Sequence, residues 1–255
     1  MARTKTEPAA AKRRTTRQTP RVSPQTEQLE LDFYSGRRPR VEKRPIEPLT
    51  ESQKRYVNAI KNFELTFATG PAGTGKTWLC GALAAQALEA GQIEKIIITR
   101  PAVEAGESLG FLPGELEDKF DPFLQPFRDV LNERLGKSFV DYLIKMGRIE
   151  AAPLAYMRGR TFKNAYVILD EAQNTSPMQM KMFLTRMGAN CKVIVNGDMS
   201  QKDIRGSSGL EDAVARLSWI PVVKHVKFTK DDVVRSGLVG EIVKAYDEEI
   251  IPPSS

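Results

Sequence analysis

Several features that would mark a function class are scarce or missing in these 255 residues. There are two cysteines, Cys80 and Cys191, far apart and in no C-x-x-C arrangement, so a disulfide framework is excluded and no zinc spacing exists. A reducing, cytoplasmic setting is the expectation that follows. A single histidine, His225, leaves no imidazole pair for a metal or a proton relay and reads as a structural residue. No aliphatic run approaches the roughly 18–20 residues of a membrane span. The longest, such as Ile96 to Ile98 and Val167 to Leu169, have the length of strands, and no internal repeat is present. Excess positive charge is confined to one end. Residues 1–45 hold 12 of the 38 Lys and Arg but only 5 of the 32 Asp and Glu, giving that segment +7 and the remainder −1. The overall charge therefore gives no sign of a nucleic-acid groove on the body of the protein.

Arg3, Lys5, Lys12, Arg13, Arg14, Arg17 and Arg21 stand among Thr, Pro and Ala with no large aliphatic residue except Met1 and Val22. Residues 1–48 are expected to be a disordered basic tail, either a solvated arm or one adding non-specific phosphate contacts. The missing apolar segment excludes a secretory signal. Within the tail, Gln28-Leu29-Glu30-Leu31-Asp32-Phe33 alternates apolar and polar residues. Its spacing is similar to the Q-L-x-L-x-F peptide by which bacterial and phage proteins bind the replication sliding clamp. Docking on the protein's own core, or no role, stays open beside that reading.

From Leu49 the pattern changes to short apolar runs separated by amphipathic stretches. Strands are expected at Leu65–Thr69, Lys95–Thr99, Ile149–Pro153, Ala165–Leu169, Lys192–Asn196 and Val222–Phe228. Helices are expected at about Glu51–Lys61, Lys76–Ala90, Phe139–Met146, Met178–Met187, Leu210–Leu217 and Asp231–Asp247. Alternation of this kind specifies an α/β domain over 49–250, a mostly parallel sheet with helices on both faces. Pro113, Pro122 and Pro126 interrupt the rhythm over Pro101–Gly136, which is expected to be an insertion over the sheet edge. Met178, Met180, Met182 and Met187 fit helix packing.

Gly70-Pro71-Ala72-Gly73-Thr74-Gly75-Lys76-Thr77 matches G-x-x-x-x-G-K-[ST] directly after a strand and at the start of a helix, the setting of a phosphate-binding loop. Its glycines let backbone N–H groups face phosphate oxygens, the helix N-terminus adds positive potential, Lys76 reaches β and γ phosphates, and the Thr77 hydroxyl ligates Mg²⁺. The strand Ala165–Leu169 ends in Asp170 and Glu171 at the sheet edge where ligands of open α/β folds collect. Asp170 is read as a Mg²⁺ ligand and Glu171 as the group that orients or deprotonates the attacking water. Gln201, in the turn after the next strand, is a candidate γ-phosphate sensor, and Asp198 fits either a turn cap or a functional role. Gln53 offers an amide that reads an adenine edge, and Tyr56 a stacking face. Arg100, Arg158 and Arg160 could track phosphates or pair with Glu104, Glu107, Glu115 and Glu117; Phe111, Phe120, Phe123 and Phe127 fit base stacking or packing.

Taken together, GPAGTGKT (70–77), ITRPAVEAGESLGFLPGELEDKFDPF (98–123), YMRGRTF (156–162), VILDEAQN (167–174), MKMFLTRMG (180–188), GDMSQKD (197–203) and DVVRSGLVGEIVKAYD (232–247) resemble the PhoH family. The resemblance implies a RecA-like fold similar to the first lobe of superfamily 1 helicases, with Gln53 in the adenine-reading motif, Asp170 and Glu171 in motif II and Gln201 in motif III. It implies ATP and Mg²⁺ as ligands, ATP hydrolysis, and action on RNA or single-stranded DNA. Only one such lobe fits the chain after its tail. A homo-oligomer, such as a ring, in which a neighbour supplies an arginine to the γ-phosphate is the expectation, with Arg235 and then Arg205 as candidates. The segment KDIRGSSGL departs from the family pattern and leaves the path of that loop open.

Overall fold

The structure, a computed structural model, describes residues 44–101 and 116–234, and the side chains of all of these except 116–123. Residues 1–43 of the basic tail with the Gln28–Phe33 patch, Glu104, Phe111 and Arg235 lie outside the described residues.

The chain enters helix α1 (Glu51–Asn62) through Thr50, whose Oγ1 accepts the Gln53 N–H at 3.2 Å and so caps the first turn. Strand β1 (Leu65–Thr69), helix α2 (Lys76–Glu89) and strand β2 (Lys95–Arg100) follow. Next come α3 (Leu116–Leu135), α4 (Lys137–Lys145), β3 (Ile149–Pro153), β4 (Ala165–Leu169), α5 (Pro177–Leu184), β5 (Cys191–Gly197), α6 (Gly209–Leu217) and β6 (Val223–Lys227). The six strands form one sheet in the order β3-β2-β4-β5-β1-β6, and every pairing is parallel. All six expected strands are present, including β3, whose sequence is the poorest in β-branched residues.

Alternation along the strands sends successive side chains to opposite faces. Leu65, Phe67, Val167, Leu169, Val193 and Val195 pack in one cluster with Met180 and Phe183 of α5 and Leu210 of α6. The intervening residues, among them Ile96, Ile98 and Ile168, are equally buried, as a sheet with helices on both faces requires. His225 stays in the sheet, its Nε2 2.8 Å from Thr69 Oγ1 on the neighbouring strand. Met180 joins the core and Met182 and Met187 pack against it, but Met178, in the first turn of α5, is 82% exposed.

One expectation is corrected. Pro122 and Pro126 do not break the chain; both lie inside the 20-residue helix α3. A proline in an unsupported helix interior costs about 3 kcal/mol or more. Here Leu124, Phe127, Val130 and Leu131 are buried from the same helix, and each buried side chain of this size contributes roughly 1.5–3 kcal/mol. Tertiary burial therefore outweighs the two missing N–H donors. Helix α3 approaches α2 so closely that a Cβ on Gly81 would lie 2.7 Å from Val130 Cγ1. Where the helix over Asp231–Asp247 is expected to start, the chain forms a short 3₁₀ turn at Lys230–Asp232 followed by extended Val233, and the rest of that expectation, from residue 235, lies outside the described residues. Among the described residues no helix is long and apolar enough to cross a membrane.

Candidate nucleotide site

Because β1, β4 and β5 run in the same direction, their C-terminal ends meet at one edge and carry the loops that follow them to one place. A cavity of about 420 Å³ opens there, lined by Ala72 to Trp78, Asp170, Glu171, Gly197, Asp198 and Gln201, with Pro126, Asp129 and Val130 of α3 on the far side. Its size lies in the range of roughly 300–1,000 Å³ usual for small-molecule sites.

The loop from Gly70 to Gly75 wraps through positive φ values at Gly70 (142°), Gly73 (81°) and Gly75 (81°), a backbone path that L-residues rarely follow. At Gly70 the requirement is also spatial: a Cβ there would lie 2.5 Å from the Phe228 carbonyl oxygen. Gly75 immediately precedes α2, so the free N–H groups of that helix face the cavity. Lys76 Nζ donates to the carbonyls of Gly70 and Pro71, both at 2.7 Å, and to Thr74 Oγ1 at 3.1 Å. Burial lowers its pKa, while the charges of Asp198, Asp170 and Glu171 act in the opposite direction.

Gln53 is 4% exposed and is bonded at both ends of its amide. Nε2 donates to the Thr74 carbonyl at 3.0 Å and Oε1 accepts the Leu49 N–H at 2.6 Å. It thereby fastens α1 to the phosphate loop, a placement the sequence reading as an adenine contact does not contain. Tyr56 is wholly buried, its hydroxyl donating to Asn196 Oδ1 at 2.6 Å, with Asn196 Nδ2 3.4 Å from Cys80 Sγ. It therefore offers no stacking face, and burial pushes the Cys80 thiol up to about 12.

At the end of β4, Asp170 is 5% exposed, and burial raises its pKa against the opposing charge of Arg100. Arg100 Nη2 donates to Asp170 Oδ2 at 2.8 Å and to Glu171 Oε1 at 3.4 Å, with Nε 3.3 Å from Asp170 Oδ2. Among the described residues this arginine pairs with the acidic residues at the end of β4, a partner the sequence did not suggest. Glu171 takes a left-handed conformation (φ 54°, ψ 37°), which turns its side chain out of the strand direction.

Residues that sequence reasoning passed over tie the two acidic loops together. Gln173 Nε2 donates to Glu171 Oε2 at 2.7 Å and to the Gln201 carbonyl at 3.3 Å, while its Oε1 accepts the Asp198 N–H at 3.0 Å. Asn174 and Asp203 bond each other twice, Nδ2 to Oδ2 at 3.1 Å and the Asp203 N–H to Oδ1 at 2.8 Å. Ser208 Oγ donates to the Gln173 carbonyl at 2.9 Å. These bonds fix the path of the 198–208 loop, leaving Gln201 and Arg205 exposed on it. Asp198 caps its turn, as the sequence allowed, and also lines the cavity. Its Oδ1 caps the turn by accepting the Ser200 N–H and hydroxyl at 3.0 and 2.6 Å. Its buried Oδ2 has no hydrogen-bond partner and belongs to a residue lining the cavity. Elsewhere, Arg160 bonds Glu150, Arg158 is exposed, and Phe127 is buried against α2 rather than open to a base. Val234, the residue before Arg235, donates its N–H to the Gly73 carbonyl at 3.0 Å.

Thr77 and Asp170 line one cavity with the phosphate loop, so a hydroxyl and a carboxylate suited to a hard divalent cation stand beside a cradle suited to phosphate. The orphaned Asp198 oxygen is a further acceptor there. These residues fit a magnesium–nucleotide complex. A wrapped glycine loop feeding a helix from the first strand, with an acidic pair at the same edge of the parallel sheet one strand removed, defines a P-loop NTPase fold. The family model "PhoH-like protein" matches residues 45–247, and the chain belongs to that family. It is 54% identical over 202 residues to "PhoH-like protein" of Bacillus subtilis (strain 168), covering 78% of this chain and 63% of the relative. It is 52% identical over 206 residues to "Protein PhoH" of Escherichia coli (strain K12), covering 79% and 58%. The chain thus spans about six-tenths of the length of these relatives. Among solved structures, the Pif1 helicase from Candida albicans is similar over 71% of this chain and 39% of its own, with a TM-score of 0.35 and 12% identity.

Proposed function

We propose that the chain binds ATP with Mg²⁺ and hydrolyses it, driving a homo-oligomer that acts on RNA or single-stranded DNA. The observation that carries the hydrolytic reading is the convergence of the Gly70–Thr77 loop, Asp170, Glu171 and Gln201 on one cavity. Loop N–H groups and the N-terminus of α2 bind and orient the phosphates. Lys76 exchanges its three intraloop acceptors for phosphate oxygens, to which its positive charge is better matched. Thr77 and Asp170 would hold the metal, which when bound offsets phosphate charge and polarises the terminal phosphoryl group. Glu171, held by Gln173, orients a water and takes its proton. Gln201, whose backbone is bonded to Gln173, reports on the terminal phosphate to the 198–208 loop.

Polymer-directed action is supported by the helicase-like order of these motifs and by the exposure of Arg158. The steady-state ATPase rate of the full chain and of Glu171→Gln, with and without single-stranded RNA and DNA at two salt concentrations, tests the proposal. Hydrolysis abolished in the variant and stimulated by one polymer in a salt-sensitive way is the expected result. Hydrolysis indifferent to either polymer would leave an ATP-gated assembly protein, and none at all would remove the enzymatic reading.

Where Arg235 acts has two readings. A neighbour's arginine completes the cavity in the oligomer proposed above, whereas the bond from Val234 to Gly73 brings the residue before Arg235 to the phosphate loop of the same chain. Mixing Lys76→Ala with Arg235→Ala subunits separates them: recovered activity requires action between subunits.

A further inference from the structure

Thr99 of β2 faces Leu169 of β4, and the next residue on each strand is therefore Arg100 beside Asp170. The parallel register places a guanidinium against the acidic pair in a way no loop rearrangement is needed to achieve. Four carboxylates, Asp129 of α3 and Asp170, Glu171 and Asp198 at the sheet edge, and the Lys76 ammonium line the cavity. Lys76 is bonded to Gly70, Pro71 and Thr74 of its own loop. Among the described residues, Arg100 is the cation bonded to the Asp170–Glu171 pair, and it sits on Asp170 Oδ2 through both Nε and Nη2. A nearly buried carboxylate needs such a counter-charge. A divalent cation approaching Asp170 meets a positive charge already seated there, at a separation where screening by water is weak.

We propose that Arg100 is the resident counter-cation of the Asp170–Glu171 pair and that a divalent metal must displace it, so that metal enters only together with a triphosphate. This rests on the nucleotide reading above and specifies its order of binding. The polyphosphate offsets the repulsion between metal and guanidinium and offers the released guanidinium an anionic acceptor. Metal and nucleotide therefore bind with positive coupling, each raising the affinity of the other. Before they arrive, Glu171 is held by Arg100 on one oxygen and Gln173 on the other. Its function as a proton acceptor thus waits on the same displacement.

The test uses the full chain with Mn²⁺ alone, read by the electron paramagnetic resonance of the free ion, and with a fluorescent ATP analogue titrated at fixed Mg²⁺ concentrations. Removing one adjacent charge from a partly buried carboxylate changes its affinity for a cation about tenfold or more. Arg100→Gln is expected to bind Mn²⁺ without nucleotide by that factor more tightly than the wild type, and Arg100→Lys to fall between them. Adding Asp170→Asn to Arg100→Gln should cancel the gain. The Mg²⁺ dependence of analogue binding should flatten in Arg100→Gln. Unchanged or weaker Mn²⁺ binding in Arg100→Gln, or a gain that survives Asp170→Asn, overturns the proposal. If Arg100→Gln does not fold by circular dichroism, Arg100→Lys, which loses the planar fork, must show a gain by itself or the proposal fails. Normal analogue binding with no Mn²⁺ gain would remove the role of Arg100 alone. An analogue that binds neither wild type nor variants at any Mg²⁺ concentration would instead remove the nucleotide reading beneath it.

Discussion

The side-chain amide of Gln173 donates to Glu171 Oε2 across 2.7 Å, and the same nitrogen reaches the Gln201 carbonyl in the loop after β5. One residue therefore fixes both the direction of the acidic side chain and its distance from the neighbouring loop. Loss of that positioning is expected to act on turnover more than on binding. Gln173→Ala should lower kcat for ATP on the order of 10²-fold, the cost of a misplaced reacting group. Nucleotide affinity, measured separately by titration, should change little; a parallel fall in affinity would show the amide to be a phosphate contact.

Gln53 predicts a different pattern. Its amide is bonded to the Thr74 carbonyl and the Leu49 N–H, so truncation strands the buried Thr74 carbonyl even without ligand. Gln53→Ala should destabilise the nucleotide-free protein by about 1–3 kcal/mol in urea unfolding. A residue that only read a base would leave nucleotide-free stability unchanged.

The contact between α2 and α3 is tight enough to respond to one methyl group. Gly81→Ala would set a Cβ 2.7 Å from Val130 Cγ1 and 3.3 Å from Phe127 Cδ1. Overpacking of this kind costs about 1–3 kcal/mol. Val130→Ala makes room, so the double variant should be more stable than the sum of the two single effects predicts. Strict additivity would mean the helices separate freely.

Burial, and then the charge of Lys227, hold the His225 imidazole below its usual range. A folded-state pKa below the unfolded value means that the unfolded chain takes up the proton first. The contribution of this residue to stability is thus present above about pH 6.5 and is lost as the pH falls through the folded-state value. The urea midpoint should drop between about pH 7 and pH 5, and His225→Gln should flatten part of that slope. An unchanged slope would assign the acid sensitivity to other groups.

The strands were legible because a doubly covered parallel sheet demands continuous apolar runs, and Ile96 to Ile98, Val167 to Leu169 and Val193 to Val195 supply them. The phosphate loop was legible because its glycines are demanded by backbone geometry that no other residue meets. Helix α3 was not, since its prolines speak locally against a helix and its support comes from α2, distant in sequence. The pairing of Arg100 with Asp170 and Glu171 was hidden for a related reason. It is set by the register of β2 on β4, which residues nearby in sequence do not reveal. Gln173 and Asn174 were unremarkable as composition; only the fold brings Asp198, Gln201 and Asp203 to them.

Glu171 stands where the backbone itself favours glycine or asparagine, with φ at 54° and ψ at 37°. An ordinary L-residue in that region costs roughly 1–2 kcal/mol. Glu171→Asn should therefore melt at a higher temperature while turning over ATP more slowly. A laboratory selection for heat resistance alone would enrich for that change and discard the carboxylate on which the proposed hydrolysis depends.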